Sequence, residues 1–162
     1  MKALKTFGLV LALALTLAMG AGCAKKSEAE NIPAASDTSS AQSAIDAAAE
    51  QITSGIVYFD FNKYNIKPEY RDVLQQKAEL MKQYPSIRVR IEGNCDARGT
   101  KEYNLALGER RARAAYEYMI RLGVPADQLD LISYGKERPA VMGSGEKVWA
   151  QNRRDEFNVI AR

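Results

Sequence analysis

Ile87-Arg88-Val89-Arg90-Ile91-Glu92-Gly93-Asn94-Cys95-Asp96-Ala97-Arg98-Gly99-Thr100 runs directly into KEYNLALGERRARAAYEYMIRL, residues 101–122, with Gly123 behind it. Ile87, Val89 and Ile91 alternate with Arg88, Arg90 and Glu92, the pattern of a half-buried strand. A polar loop, Gly93 to Thr100, separates that strand from a helix of about twenty residues that ends near Leu122, with Gly123 as its C-cap. Strand, loop and long helix together make the first half of a β-α-β unit, and the flanking sequence extends the pattern both ways.

Upstream, residues 56–61 (IVYFDF) read as a strand ended by Asn62. Pro68 opens a helix where its missing N–H costs little. Tyr70, Val73, Leu74, Met81 and Tyr84 follow at helical spacing, Leu80 widens the stripe, and Pro85 stops it. Downstream, Leu129, Leu131 and Ile132 mark a third strand. A Gly- and Pro-rich loop leads to a short helix at 146–152, and Phe157 and Val159 alternate in a last strand. The order β-α-β-α-β-(α)-β predicts an α+β, two-layer sandwich with helices on a mixed four-stranded sheet. The chain has neither a repeat at a fixed period nor a Gly-rich phosphate loop.

The whole chain has 162 residues, 46% hydrophobic and 27% charged, enough for one domain with extras. It contains no histidine and two cysteines. A Ser-His-Asp triad, a His-ligated zinc, a His-ligated haem and a Cys-rich metal centre are therefore excluded, and no cofactor is expected. Residues 1–22 carry Lys2 and Lys5, then an apolar run from Phe7 to Ala18, then small residues up to Cys23. That is the organisation of a secretory signal peptide, and the run is shorter than the roughly 20 residues a membrane-spanning helix needs. Without the two lysines the formal charge of +3 falls to +1, so nucleic acid is not an expected partner.

Cys23, behind Ala21 and Gly22, resembles the cysteine of a bacterial lipobox, although Gly20 stands where a large aliphatic residue is usual. The resemblance implies acylation of Cys23 and an outer-membrane destination, and several acyl chains at roughly 0.8 kcal/mol per buried CH₂ anchor durably in lipid. Ala24 lacks the aspartate that retains such proteins in the inner membrane. A disulfide between Cys23 and Cys95 is the alternative use of the first cysteine. Residues 23–54 are rich in Ala, Ser and Glu and read as a lipidated N-terminus with a flexible tether of about 30 Å reach. Residues 41–52 could form a loose helix. The folded unit is expected at 55–162, where 19 basic and 15 acidic residues give a mild positive balance.

The loop carries the chemistry. A Gly-bounded strand end before a helix start offers free backbone N–H groups, and Asp96 adds a carboxylate at the mouth. Asn104, Gly108 and Arg111 share one helical face, and Arg111 leans back toward the loop from a start roughly 14 Å up the helix. A carboxylate and a forked cation so spaced suit the ammonium and carboxylate of an amino-acid head group. On spacing alone, Asp96 as a turn cap and Arg111 as one exposed helix charge among several is the other reading.

Tyr58-Phe59-Asp60-Phe61, the 96–112 segment, residues 133–141 (SYGKERPAV) and Asn152-Arg153-Arg154 resemble the OmpA C-terminal-like domain family across 56–162. Within it, the sequence resembles the lipid-anchored branch that works with the Tol proteins. That resemblance implies non-catalytic binding of peptidoglycan through the diaminopimelate group of its stem peptide, with TolB and other Tol proteins as partners. It implies roles for Asp96 and Arg111 as the ligand's charge partners and for Asn104 as a loop-holding residue. It also places Asp60, Phe61, Asn62, Asn94, Gly99 and Arg154 in the same neighbourhood, with fastening of the last strand as the alternative role of Arg154. Asn94 replaces a frequent histidine, and Cys95 reads as a small buried hydrophobe. Other readings are a wall-anchoring module of a secretion or motility assembly, and a wall-modifying hydrolase using Asp60, Glu92 or Asp96.

Overall fold

A computed structural model of the chain describes residues 36–162. The expected signal peptide and the Cys23 anchor lie outside those residues. Four helices and four strands follow in the order α1 (Ser36–Ser54), β1 (Val57–Tyr58), α2 (Arg71–Gln83), β2 (Arg88–Asn94), α3 (Lys101–Arg121), β3 (Leu129–Gly135), α4 (Glu146–Asn152) and β4 (Arg154–Ala161). The sheet order is β1-β4-β2-β3. β4 runs antiparallel to both neighbours, while β2 and β3 are parallel and joined over α3. The fold is the expected α+β sandwich on a mixed sheet.

Strand alternation sets the core. Val89 and Ile91 of β2 and Phe157 of β4 are fully buried and meet Leu74, Ala78 and Met81 of α2 and Ala112, Ala115 and Met119 of α3. β1 is shorter than its apolar run because the pairing is only half made at Phe59: its N–H bonds the Arg153 carbonyl in register at 2.9 Å, but the Arg153 N–H turns back to the Trp149 carbonyl, and the Phe59 carbonyl accepts from Arg153 Nε instead. The chain then turns at Asp60–Lys63, where Asn62 takes φ 57°, a conformation asparagine tolerates better than most residues.

The expected domain boundary at residue 55 moves. Helix α1 covers 36–54, and Ala48, Ala49 and Ile52 are buried in the core, with Ile45 packed beside them. Those four residues fall at i, i+3, i+4 and i+7, an amphipathic stripe in which two of the four side chains are alanine. Its small area hides it from a reading that looks for large side chains. A flexible tether through Ser54 is therefore incorrect for 36–54.

Two further contacts hold α1. Asp46 pairs with Arg162 at 3.1 Å, and the buried ammonium of Lys77 donates to the Ile52 carbonyl in the last turn of α1. Lys77 sits on the apolar stripe of α2 because an orphan helix-end carbonyl needs a donor. Its ammonium lies 4.7 Å from the Phe157 ring, and burial pulls its pKa down to about 8.

Candidate functional site

The site grows from one close approach. Gly93 of β2 lies so near Gly108 of α3 that a Cβ on either would collide with the other's backbone, and Gly108 also faces the Ser133 hydroxyl. The two glycines let α3 rest directly on β2. Arg111, one turn further along α3, thereby lies beside the end of the strand. The ladder register shifts between Gly93 and Asn94, and the Cys95 N–H bonds the Gly135 carbonyl at 2.7 Å. Such an irregularity re-aims the residues that follow, here Cys95 and Asp96.

Thr100 caps α3, its hydroxyl accepting from the Tyr103 N–H at 3.1 Å. Asn104 Nδ2 donates to the carbonyls of Arg98 (2.6 Å) and Thr100 (2.8 Å) and fastens the loop onto its own helix. Lys136 Nζ donates to the Gly99 carbonyl at 2.7 Å, so the residue after β3 braces the same loop. Gly99 takes φ 81°, the left-handed conformation the loop needs there.

Between this loop, the first turns of α3 and the Asp60–Lys63 turn lies a recess of about 200 Å³. Phe61 and Asn62 line it from the turn; Cys95, Asp96, Arg98 and Gly99 from the loop; and Tyr103, Asn104, Leu107 and Arg111 from the helix. The Tyr103 hydroxyl donates to Asn62 Oδ1 and joins helix to turn. Asp96 and Arg111 thus share one cleft, together with Asn104, Phe61, Asn62 and Gly99.

Three expected site residues do not line it. The Asp60 side chain is exposed and pairs with Lys67 at 3.6 Å; only its carbonyl points inward. Asn94 is buried behind the wall, its Nδ2 donating to the Glu92 carbonyl at 3.0 Å. Strand alternation turns Arg154 to the side of Glu156, which it pairs with at 2.6 Å, while Arg154 Nη2 donates to the Arg138 carbonyl. The arginine that reaches Asp96 is Arg153, at 3.4 Å, while its Nε donates to the Phe59 carbonyl.

Neither principal charge is an open clamp. Arg111 is fully buried, and its guanidinium donates to the carbonyls of Lys63 (2.9 Å), Asn94 (2.8 Å) and Asp60 (3.2 Å) and reaches Cys95 Sγ at 3.5 Å. Burial lowers its pKa from the ordinary arginine value. Asp96 is held by Arg98, Nη2 to Oδ2 at 2.6 Å and Nε to Oδ1 at 3.1 Å. Burial alone would raise the Asp96 pKa, but the side-chain and backbone bonds from Arg98, its charge and the bond from Arg153 outweigh that, and the net shift is downward. Burial pushes the Cys95 thiol up to about 11 against the pull of Arg111, so it is neutral at pH 7.

Sequence reading passed over Arg98, although it lies in the quoted loop two residues from Asp96. Its guanidinium stacks between the rings of Phe61 (4.0 Å) and Trp149 (4.1 Å). Trp149 comes from α4, and nothing in the local pattern of either segment joins them. Arg153 ties α4 into the same group through Glu146 at 2.6 Å.

Beneath the wall sits Asp155, opposite Gly93 in the β2–β4 ladder. It is fully buried and neither carboxylate oxygen has a hydrogen-bond partner. Desolvation raises its pKa well above the usual range, and the Arg111 charge only partly opposes this. The folded state holds the Asp155 proton more tightly than the unfolded chain does. The associated stability is complete below about pH 4 and is lost as pH rises through the folded pKa. Asp155→Val, which suits a strand, should stabilise the fold by about 1–3 kcal/mol at pH 7 and flatten this decline. Urea unfolding between pH 4 and pH 8 measures both effects.

With this geometry in place, comparison with other proteins gives its class. A family model described as the OmpA family matches residues 58–153. The chain belongs to the OmpA family. The peptidoglycan-associated lipoprotein of Pseudomonas putida is 41% identical over 162 residues, covering 93% of this chain and 96% of the relative. The crystal structure of the peptidoglycan-associated lipoprotein from Burkholderia pseudomallei superposes with TM-score 0.66 at 43% identity, over 67% of this chain and 92% of that one. The C-terminal domain of Helicobacter pylori MotB aligns with TM-score 0.62 at 19% identity, over 67% of this chain and 85% of that one, a likeness of fold alone.

Proposed function

We propose that this chain is a lipid-anchored, non-catalytic protein of the outer membrane that binds peptidoglycan and ties that membrane to the wall. The names of its relatives support peptidoglycan as the partner. The observation that carries the site is the recess beside the start of α3 that Asp96, Arg98 and Arg111 line together. Its size and opposed charges suit the diaminopimelate side group of a stem peptide, which presents an ammonium and a carboxylate on one short chain. Acylation at Cys23 would place the domain on the inner surface of the outer membrane. Weak contacts from many copies would then hold two surfaces together. TolB and the other Tol proteins are the partners with which the domain would exchange, in support of envelope integrity and cell division.

The charges argue against a hydrolase. A general acid needs a raised pKa, and that of Asp96 is lowered. Glu92 pairs with Arg138 at 3.5 Å, and the exposed Asp60 pairs with Lys67, so no two carboxylates flank the recess as an acid–base pair would. The likeness to MotB concerns fold only and gives no support to a role in motility.

The protein should be retained on purified sacculi without releasing muropeptides. Asp96→Ala should cut retention at least tenfold while the fold still melts cooperatively. Unchanged retention by that variant would reject the site, and released muropeptides would reinstate the hydrolase.

A further inference from the structure

The acceptor positions of Asp96 are already filled. A carboxylate offers about four lone-pair sites. Oδ1 accepts from the Arg98 N–H and from Arg98 Nε, each at 3.1 Å. Oδ2 accepts from Arg98 Nη2 at 2.6 Å and from Arg153 Nη1 at 3.4 Å. A ligand ammonium cannot reach this carboxylate until something leaves.

The two arginines differ in their freedom to move. Arg153 is buried and tied to Phe59 and Glu146 as well. The Arg98 side chain is 32% exposed, and among the described residues its one ion pair besides Asp96 is with Glu146 at 4.0 Å. Its backbone stays in place because Asn104 holds the Arg98 carbonyl. The flat faces of Phe61 and Trp149 on either side let the guanidinium slide and still keep its stacking. Only the Arg98 side chain can make room.

We propose that Arg98 is a displaceable internal counter-ion that makes the recess selective for zwitterionic side groups. This rests on the binding function proposed above and adds the means of selection. At rest Arg98 neutralises Asp96. When a ligand ammonium takes its place, the freed guanidinium, still between its two rings at the mouth, pairs with the ligand carboxylate. One ion pair is exchanged for two. A side group bearing only an ammonium would leave Arg98 without a counter-ion, so its entry is opposed. Lysine is diaminopimelate without one carboxylate, and the two stem-peptide forms therefore differ in the group that Arg98 reads.

The test is calorimetric titration of the protein with matched muropeptides containing diaminopimelate or lysine. The wild type should bind the diaminopimelate form at least tenfold more tightly. In Arg98→Met the preference should fall below about threefold, with the lysine form bound more tightly than by the wild type. Arg98→Lys, which restores charge without the fork, should recover part of the preference. In the wild type, the Arg98 Nε resonance should shift on addition of the diaminopimelate form. An undiminished preference in Arg98→Met, or an Arg98 Nε signal that stays fixed while ligand binds, would overturn the exchange and leave the binding site standing. Absence of wild-type binding to either muropeptide would overturn both.

Discussion

Arg111→Ala should lower the unfolding free energy by about 3–5 kcal/mol, far more than loss of an exposed helix charge, which is worth under about 1 kcal/mol. Its guanidinium joins three segments through carbonyls at Lys63, Asp60 and Asn94, and each carbonyl would lose a charged donor inside the protein. The cavity left behind adds to the cost. Asp155 would also lose the Arg111 charge that opposes its protonation, making it still harder to ionise. Arg111→Lys should recover little, because the three carbonyls are bonded from three different nitrogens spread across the planar guanidinium, and a compact ammonium on one nitrogen cannot span them. Chemical denaturation of the variants beside the wild type measures this directly. A loss under 1 kcal/mol would show that the guanidinium is not the strut described above. Arg111→Ala is for that reason a poor probe of binding, since retention would be lost together with the fold. Asp96 and Arg98 are cleaner probes.

Gly93→Ala should cost about 3 kcal/mol or more. The added methyl would run into the backbone of Gly108, with strand on one side and helix on the other, and backbone cannot step aside as a flexible side chain can. Helix α3 would have to lift from β2, opening the recess that hangs from both. Gly99→Ala provides a contrast within the same loop. There a Cβ meets only Asn104 Nδ2 and Tyr103 Cδ1, at 3.5 and 3.6 Å, and the cost is that of φ 81° for a residue with a side chain, about 1–2 kcal/mol. Thermal unfolding of the two variants should separate them clearly, and equal losses would refute the close-approach account.

Much of the architecture was legible because it rests on strong periodic patterns. The alternation of Ile87, Val89 and Ile91 and the stripe through Leu74 and Met81 both led into the core. Residues 41–52 read only as a loose helix within a tether, and the docking of α1 on the core was missed, because Ala48 and Ala49 bury little area each and their value depends on a groove beside β4 that no local pattern reveals. The recess was half legible. The spacing from Asn104 to Arg111 fixes one helical face, and the loop announces itself by its glycines. What the side chains do there depends on contacts distant in sequence. The carbonyls that occupy Arg111 come from residues 60, 63 and 94, and the rings around Arg98 come from residues 61 and 149. The exchange of Arg154 for Arg153 has a simpler cause: adjacent residues at a strand start face opposite ways, and the sequence does not say where the strand begins.

The central claim is that a diaminopimelate side group enters the cleft between the Asp60–Lys63 turn and the start of α3. Mapping backbone amide shifts while a diaminopimelate-containing muropeptide is titrated into the labelled protein tests it most directly. Saturable shifts should concentrate at Phe61, Asn62, Asp96, Gly99 and Tyr103 and leave Asp130, Ile132 and Glu156 on the sheet still. Shifts centred on the sheet, or none at all with the protein folded, would contradict it.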